Sequence, residues 1–474
     1  MRPSNIVSMP EQNTMQASPP WLRLLLCTLV LSGCTTPPRL PELSEVRPAG
    51  RPILVSAAGP LSPERSQAIL ASLARQAGTD DILVRHMAVE EAVSDMPLVV
   101  GNKVTLLRDG PATYRAMFEA IRNAKDHINL ETYILEDDEV GRRLADMLIA
   151  RQRDGVQVAL IYDSIGALNT SQAFFARLTD AGVKVLQFNP INPAAARKSY
   201  VIDHRDHRKI LVVDGRIAFT GGLNFSNVYS GGSAKRPKPR TAEDKIPWRD
   251  THVQIEGPVV AQFQKLFLGT WDEQKGDPLP PRKYFPTLEP KGKEVVRAIG
   301  SSPDNPTSVI HTTLLSAIRN AERSIHITNA YFVPDSAMVQ AIADAGKRGV
   351  DVKIILPSQT DFWAPLYAGR SHYGDLLKSN VKVYERRDAL LHAKTVVVDG
   401  VWSTVGSTNL DHRSFLNNDE VDAVILSEVF GEQMEAMFED DLALSRRIEL
   451  TEWKRRSLGS RFKEMGARFW ERWL

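Results

Sequence analysis

Two sets of residues in this chain could do chemistry together. His207, Lys209, Asp214 and Asn224 recur, in order and at the same spacing, as His392, Lys394, Asp399 and Asn409. A pair of histidines in equivalent settings suits a two-step transfer at phosphorus. One imidazole attacks to form a phosphohistidine, and the other protonates the departing alcohol. The two lysines can neutralise phosphoryl oxygens as charge builds on them. A single His-x-Lys beside a hairpin is an ordinary surface strand. Two copies with matched glycines and asparagines point to a duplicated site.

The spacing says how the chain must hold these groups. Residues two apart in extended backbone share a face, so His207 projects with Lys209 and His392 with Lys394. Each copy enters an apolar β run, Ile210 to Val213 or Thr395 to Val398, closed by Asp214-Gly215 or Asp399-Gly400. Asp-Gly between such runs is a hairpin signal. By the same parity Asp214 and Asp399, although members of the catalytic sets, point away from the imidazoles and read as turn-forming or supporting groups. The return strands end at Gly221-Gly222 and Gly406-Ser407, where small residues let backbone amides approach an anion. Gly222, Ser407, Asn224 and Asn409 are the expected phosphate-binding residues. A further carboxylate must orient each imidazole. The candidates are Asp250, in Trp248-Arg249-Asp250-Thr251-His252, and Glu420, in Asn417-Asn418-Asp419-Glu420.

Repetition extends beyond the motifs, since Ala120-Ile121-Arg122-Asn123-Ala124 recurs letter for letter at Ala317 to Ala321. Each half reads helix, strand, helix, strand, then the motif hairpin, which predicts an α/β sandwich present twice, the two domains packed face to face. A length of 474 residues agrees with two domains. The expected boundaries are 99–275 and 306–445, joined by a linker at 276–305 whose 276–293 portion is rich in proline and charge. A tether and N-terminal extension at 35–98 and a C-terminal segment at 446–474 complete the chain.

The arrangement resembles the phospholipase D superfamily, whose members carry two such HKD motifs meeting at one site. Asn129-Leu130-Glu131-Thr132-Tyr133, His204 to Lys209, Trp248 to His252, Tyr331-Phe332-Val333-Pro334-Asp335 and Asn409 to Ser414 are similar to the bacterial cardiolipin synthase branch over roughly Val99 to Leu444. The resemblance implies phosphodiester exchange through a phosphohistidine, with no metal or other cofactor. It implies attack by His207 on phosphatidylglycerol and proton transfer by His392, while Lys209, Lys394, Asn224 and Asn409 hold the phosphoryl oxygens. The first copy departs from the second in having Asp250 where the other has Glu420. A phospholipase D hydrolase, an extracellular nuclease of the same superfamily and a non-catalytic lipid-binding lipoprotein stand as alternatives.

The remaining segments bear on where such a protein works. Arg23 precedes the apolar run Leu24 to Leu31, well short of the ~20 residues a transmembrane helix needs, so a secretory leader is expected, with an uncleaved anchor as the alternative. Leu31-Ser32-Gly33-Cys34 resembles a bacterial lipoprotein box, which implies lipidation of Cys34 and an envelope protein facing the periplasm. Thr35 after it favours the outer membrane by analogy. Cys27 and Cys34 are the only cysteines, so cleavage before Cys34 leaves no internal disulfide. Residues 36–60 read as a flexible tether. Net charge is only +2, and no basic stripe interleaved with stacking aromatics accompanies the motifs, which argues against a nucleic-acid partner and for phospholipid. Lys235, Arg236, Lys238 and Arg240 lie in a proline-containing loop near the site, either solvated or in contact with anionic headgroups. Near the C-terminus Trp453, Phe462, Phe469, Trp470 and Trp473 alternate with lysines and arginines, as in a membrane-interface segment or a terminal helix packed on its own domain. His86, His127, His311, His326 and His372 have no ligand-like clustering and read as packing or surface residues.

Overall fold

In each half one mixed sheet carries the motif hairpin at its centre. A computed structural model describes residues 40–469 apart from 41, 80–81, 193, 195, 197–200, 233–245, 306–307 and 361, and apart from the side chain of 469. The leader and Cys34, the loop residues Lys235, Arg236, Lys238 and Arg240, and Trp470 and Trp473 lie outside the described residues. In the first half the parallel strands Lys184–Phe188, Gln157–Asp163 and His127–Thr132 adjoin, in antiparallel order, Ile210–Val213, Ile217–Gly221, His252–Glu256 and Val99–Leu107. The second half repeats the order with Lys382–Arg386, Asp351–Pro357, Ser324–Thr328, Thr395–Val398, Trp402–Gly406, Asn418–Leu426 and Glu294–Ser301. The leading strands join edge to edge through Glu294 opposite Asn102 and Val296 opposite Val99.

Local chemistry explains the elements. Asp109, Asp138, Asp335 and Ser427 cap their helices by accepting the amides of Ala112, Gly141, Met338 and Phe430. Both hairpins turn with two residues at positive φ, Asp214 (55°) with Gly215 (63°) and Asp399 (52°) with Gly400 (70°), the type I′ geometry that matches strand twist. The strands are buried on both faces. Leu107, Phe118, Leu144 and Phe219 fill the outer face of the first sheet, and Ile318, Ile342, Ile354 and Trp402 that of the second. The inner faces share one core, in which Ile210, Val212, Val253 and Ile255 meet Val397, Val405, Val421 and Ile425, with Phe263 and Met434 from two intervening helices. Fully burying one such side chain stabilises by about 1.5–3 kcal/mol, so this shared layer holds the halves together strongly.

The expected boundaries shift accordingly. Glu294–Ser301, placed in the linker by sequence, is the leading strand of the second sheet. The stretch before it is bound along the first half, with the Lys283 amide on Asp126 and the Tyr284 hydroxyl on Gln157. Residues 42–60 are not a loose tether. Leu54 is fully buried, Val55 pairs with Val99, and Leu70, Ile82 and Met87 complete the outer core of the second half. Glu90 seals this junction beneath Arg297, His86 and Trp402. From Leu40 onward the chain is therefore one compact unit. Among the described residues, no helix is long and apolar enough to cross a membrane.

Candidate active site

The motif histidines leave their own sheets and pair with the opposite half. Arg205–Asp206 runs parallel to Asn418 and Asp419, and Trp248–Arg249 runs parallel to Leu390–Leu391. The His207 amide consequently donates to the Asp419 carbonyl at 2.9 Å, and the His392 amide to the Arg249 carbonyl at 2.8 Å. This sets each ring against the carboxylate one residue further on. His207 Nδ1 lies 3.0 Å from both Glu420 oxygens, and His392 Nδ1 lies 2.7 Å from Asp250 Oδ2. The orienting carboxylates thus cross over, Glu420 serving the first histidine and Asp250 the second. With Nδ1 as donor, each ring turns Nε2 to the site, as a lone pair when the ring is neutral and as an N–H when it is protonated.

Both imidazoles are buried, His207 at 8% exposure and His392 at 5%. Burial, then the charges of Lys209, Lys394 and the other imidazole, hold His207 well below the ordinary histidine range. The crossed hydrogen bonds to Glu420 and Asp250 bring both rings to the seam between the two halves. Burial and Lys394 also lower His392, against an upward pull from Asp250. Lys209 is pushed down to about 7 by burial. The carboxylates differ from one another. Burial pushes Glu420 up to about 7, whereas the burial of Asp250 is outweighed by His392 and Lys394, which keep it below the usual carboxylate range.

His207-Arg208-Lys209 lies just before its strand, yet the alternation expected of it holds. Lys209 Nζ returns to the His207 carbonyl at 2.6 Å and stands 5.3 Å over the Tyr133 ring, while Arg208 turns away to Ser301 and Thr270. Lys394 Nζ likewise bonds the His392 carbonyl and lies 3.0 Å from its Nδ1. Asp214 and Asp399 sit at the far ends of the hairpin strands. Asp214 accepts the amides of Lys125, Asp126 and His127, and Asp399 those of Glu322, Arg323 and Ser324. They fasten the helix-to-strand connection behind each hairpin and touch no reacting group, so their place among the catalytic residues is corrected to a structural one.

The expected phosphate-binding set is also redistributed. The Gly222 amide donates to the Thr251 carbonyl at 3.0 Å, and a Cβ on Gly222 would stand 2.2 Å from Asp250 Oδ1. Gly222 is small so that Asp250 can reach His392. The Ser407 amide is bonded to the Val421 carbonyl, and its hydroxyl donates to Glu420. Both residues support orienting carboxylates rather than an anion. Asn224 accepts the Ile134 amide and donates to Tyr229, whose hydroxyl is 3.4 Å from His392 Nδ1. The Asn409 Oδ1 is buried and without a partner among the described residues.

Aromatic walls are what sequence reasoning left unassigned. Tyr133 meets the edge of His207 at 5.1 Å between centroids, and Tyr331 meets His392 at 6.5 Å. Trp248 and Tyr229 also pack on His392. Tyr133, Tyr331 and Trp248 stand in the motifs quoted above, Trp248 two residues from Asp250, whereas Tyr229 lies outside them. Of the bordering histidines, His204 bonds Asp419 at 2.9 Å, and His252 accepts the Leu223 amide while burial pushes it down to about 3. His127, His311 and His326 are buried against Asp126, Asp335 and Glu435. Two cavities of about 470 and 310 Å³ lie apart from the histidines, lined respectively by residues such as Phe175 and Gln187 and by Arg249 and Asp441.

Two carboxylate-backed imidazoles and two lysines, brought together by a duplicated α/β fold, define a phosphodiester-processing site of the phospholipase D kind. The family described as "Cardiolipin synthase, PLD-like domain" matches residues 117–230 and 314–442, and the chain belongs to it. It is 35% identical to the "Major cardiolipin synthase ClsA" of Bacillus subtilis (strain 168), over 77% of this chain and 74% of that protein. It is 37% identical to "Cardiolipin synthase A" of Pseudomonas fluorescens (strain SBW25), over 75% of this chain and 72% of that one. The crystal structure of phosphatidylserine synthase from Haemophilus influenzae Rd KW20 shares the fold, with a TM-score of 0.57 and 16% identity over 81% of this chain and 96% of that one.

Proposed function

We propose that this chain is a phosphatidyltransferase that converts two molecules of phosphatidylglycerol into cardiolipin and glycerol. The crossed pairing of the imidazoles with Glu420 and Asp250 carries the reading, because it gives each histidine its own carboxylate and so allows one ring to attack and the other to carry the proton. His207, held neutral by burial and the lysines, has the Nε2 lone pair of a nucleophile and attacks phosphorus. The bond from phosphorus to the terminal glycerol breaks, and His392, which enters this step as the imidazolium that Asp250 favours, gives that oxygen the proton on its Nε2. In the second half-reaction His392 takes the proton from a hydroxyl of another phosphatidylglycerol, whose oxygen attacks the phosphohistidine and releases His207. Asp250, ionised and 2.7 Å away, favours the imidazolium that His392 must become. Glu420, pushed up to about 7, stabilises a cation less, which suits a histidine that begins neutral. Lys209 and Lys394 neutralise the phosphoryl oxygens, and the buried Asn409 Oδ1, without a partner among the described residues, remains to accept a hydrogen bond from a substrate hydroxyl.

Exchange of one phosphodiester for another needs no nucleotide, so the reaction suits a lipoprotein tethered through Cys34 and working on the periplasmic face of the envelope. The test is a lipid extract from a bacterial host lacking its own cardiolipin. Expression of the chain should restore cardiolipin, and His207→Ala or His392→Ala should abolish it. Mapping of the labelled phosphoenzyme under alkaline conditions, in which a phosphorus–nitrogen bond survives, should place the label on His207. Phosphatidic acid without cardiolipin would reject the transferase reading in favour of hydrolysis.

A further inference from the structure

Exposed apolar side chains gather on both sides of the site and occupy equivalent places in the two halves. In the first half the strand Gln157–Asp163 is followed by a loop bearing Ile165 and Leu168, the latter 64% exposed. That loop is held against the site. Gly166 lies so close to the Tyr133 carbonyl that a Cβ would stand 2.1 Å from it, and Tyr133 borders His207. Val201 and Ile202, also exposed, precede His204 on the same side. In the second half the equivalent strand, Asp351–Pro357, leads to Phe362 and Trp363, 49% and 59% exposed, at the start of the helix Trp363–Ser371. Gly369 of that helix rests on the Phe332 carbonyl, beside Tyr331, which borders His392.

The C-terminal helix Leu458–Phe469 extends this second rim. Ala467 packs with Ala368 and Val333, Lys463 lies over the Tyr367 ring, and Arg456 pairs with Glu464. So far this is a terminal helix docked on its own half. Its other face is not covered, because Leu458, Phe462 and Met465, spaced to form one stripe, are 64–69% exposed. Lys454, Arg455, Arg461 and Arg468 flank the stripe and are exposed, and the helix's one acidic residue, Glu464, is buried in its ion pair.

We infer that the two rims form a bilayer-docking surface, with Leu168 on one side and Phe362, Trp363 and Phe462 on the other entering the boundary between headgroups and acyl chains of an anionic membrane. Apolar stripes beside cations are what an interfacial helix presents to anionic lipid. A protein partner would need only one rim, whereas a bilayer meets both at once and leaves the histidines between them facing the headgroup layer. The inference rests on the phosphatidyltransferase reading for the identity of the lipid, and it adds how that lipid reaches the site.

The test uses the full chain with Cys27→Ser and Cys34→Ser, which removes any lipid anchor. Leu168→Cys, Phe362→Cys or Phe462→Cys carries an environment-sensitive fluorophore, and Val429→Cys, 61% exposed at the opposite end of the strand Asn418–Leu426 from Glu420, is the control. Phosphatidylglycerol vesicles should shift the emission to the blue at the three rim positions and leave Val429→Cys unchanged. Equal shifts at all four, no rim shift, or the same rim shift from self-association without vesicles would overturn the inference. Turnover supplies a second reading. Leu168→Ser with Phe362→Ser and Phe462→Ser should lower the rate on long-chain vesicles at least tenfold and leave the rate on monomeric short-chain phosphatidylglycerol unchanged. An undiminished vesicle rate in this variant refutes docking. If the parent shows the rim shifts but turns over neither lipid, the docking surface stands and the transferase reading fails.

Discussion

Asp250→Asn removes one charge while keeping the shape of the site. Asp250 Oδ1 accepts the Thr251 amide at 2.8 Å, and Oδ2 faces His392 Nδ1 at 2.7 Å. An asparagine keeps its carbonyl on the Thr251 amide and turns its NH2 toward the ring. His392 Nδ1 must then accept, the ring proton moves to Nε2, and the nitrogen facing the acceptor hydroxyl has no lone pair with which to take a proton. The imidazolium also loses its counter-charge. Unit charges ~4 Å apart at an effective dielectric constant of ~20 attract by about 4 kcal/mol, equivalent to about 10³-fold in rate. Glu420→Gln should behave differently, because a carboxyl pushed up to about 7 is already largely uncharged in mildly acidic solution. Its cost should be small at pH 6 and grow to roughly tenfold by pH 8 as the parent ionises. The assay is kcat for cardiolipin formation by purified protein between pH 6 and 8, with thermal unfolding recorded for each variant. A smaller loss for Asp250→Asn than for Glu420→Gln at every pH would refute His392 as the proton carrier.

Three further outcomes follow from the same geometry. Lys209, pushed down to about 7, loses its charge as pH rises through that value, so kcat/KM should decline above about pH 7; the limb in kcat should lie higher, because a bound phosphodiester favours the charged amine, and a flat kcat/KM between pH 7 and 9 contradicts this. Gly222→Ala drives a methyl against Asp250 Oδ1 and should lower kcat about 10²-fold with little change in thermal unfolding, the signature of a displaced catalytic partner. Asp399→Ala strips the acceptor from three backbone amides and should lower stability by about 1–3 kcal/mol in urea titration, while activity per folded molecule is retained.

Much of this was legible because it is written in local spacing. The Asp-Gly turns, the repeated helix and strand order, and the parity that sends Asp214 and Asp399 away from the imidazoles all depend on neighbours within a few positions. The strands Lys184–Phe188 and Lys382–Arg386 were missed, since runs of five residues carry little periodicity. Asp250 and Glu420 were found as candidates, but their crossing was not, because it arises where Arg205–Asp206 adds to a strand of the other half. Nor could spacing tell that Gly222 and Ser407, equivalent in the repeat, do one job in two ways. One makes room for a carboxylate, and the other donates a hydrogen bond to it.

The crossing explains why the near symmetry of the repeat can run an asymmetric reaction. Each half supplies one histidine and the carboxylate for the other half's histidine, so separating the halves would strip both imidazoles of their partners. Within that shared arrangement the two carboxylates are free to diverge. The shorter Asp250, packed against a residue without a side chain, stays ionised among His392 and Lys394. The longer Glu420, buried under Ser407 and Asn418, is pushed toward neutrality. A transfer that begins at one imidazole and sends its proton through the other needs this difference in environment more than any difference between the histidines themselves. A single substitution at position 222 or 407 therefore acts on the division of labour between the two rings without touching either ring.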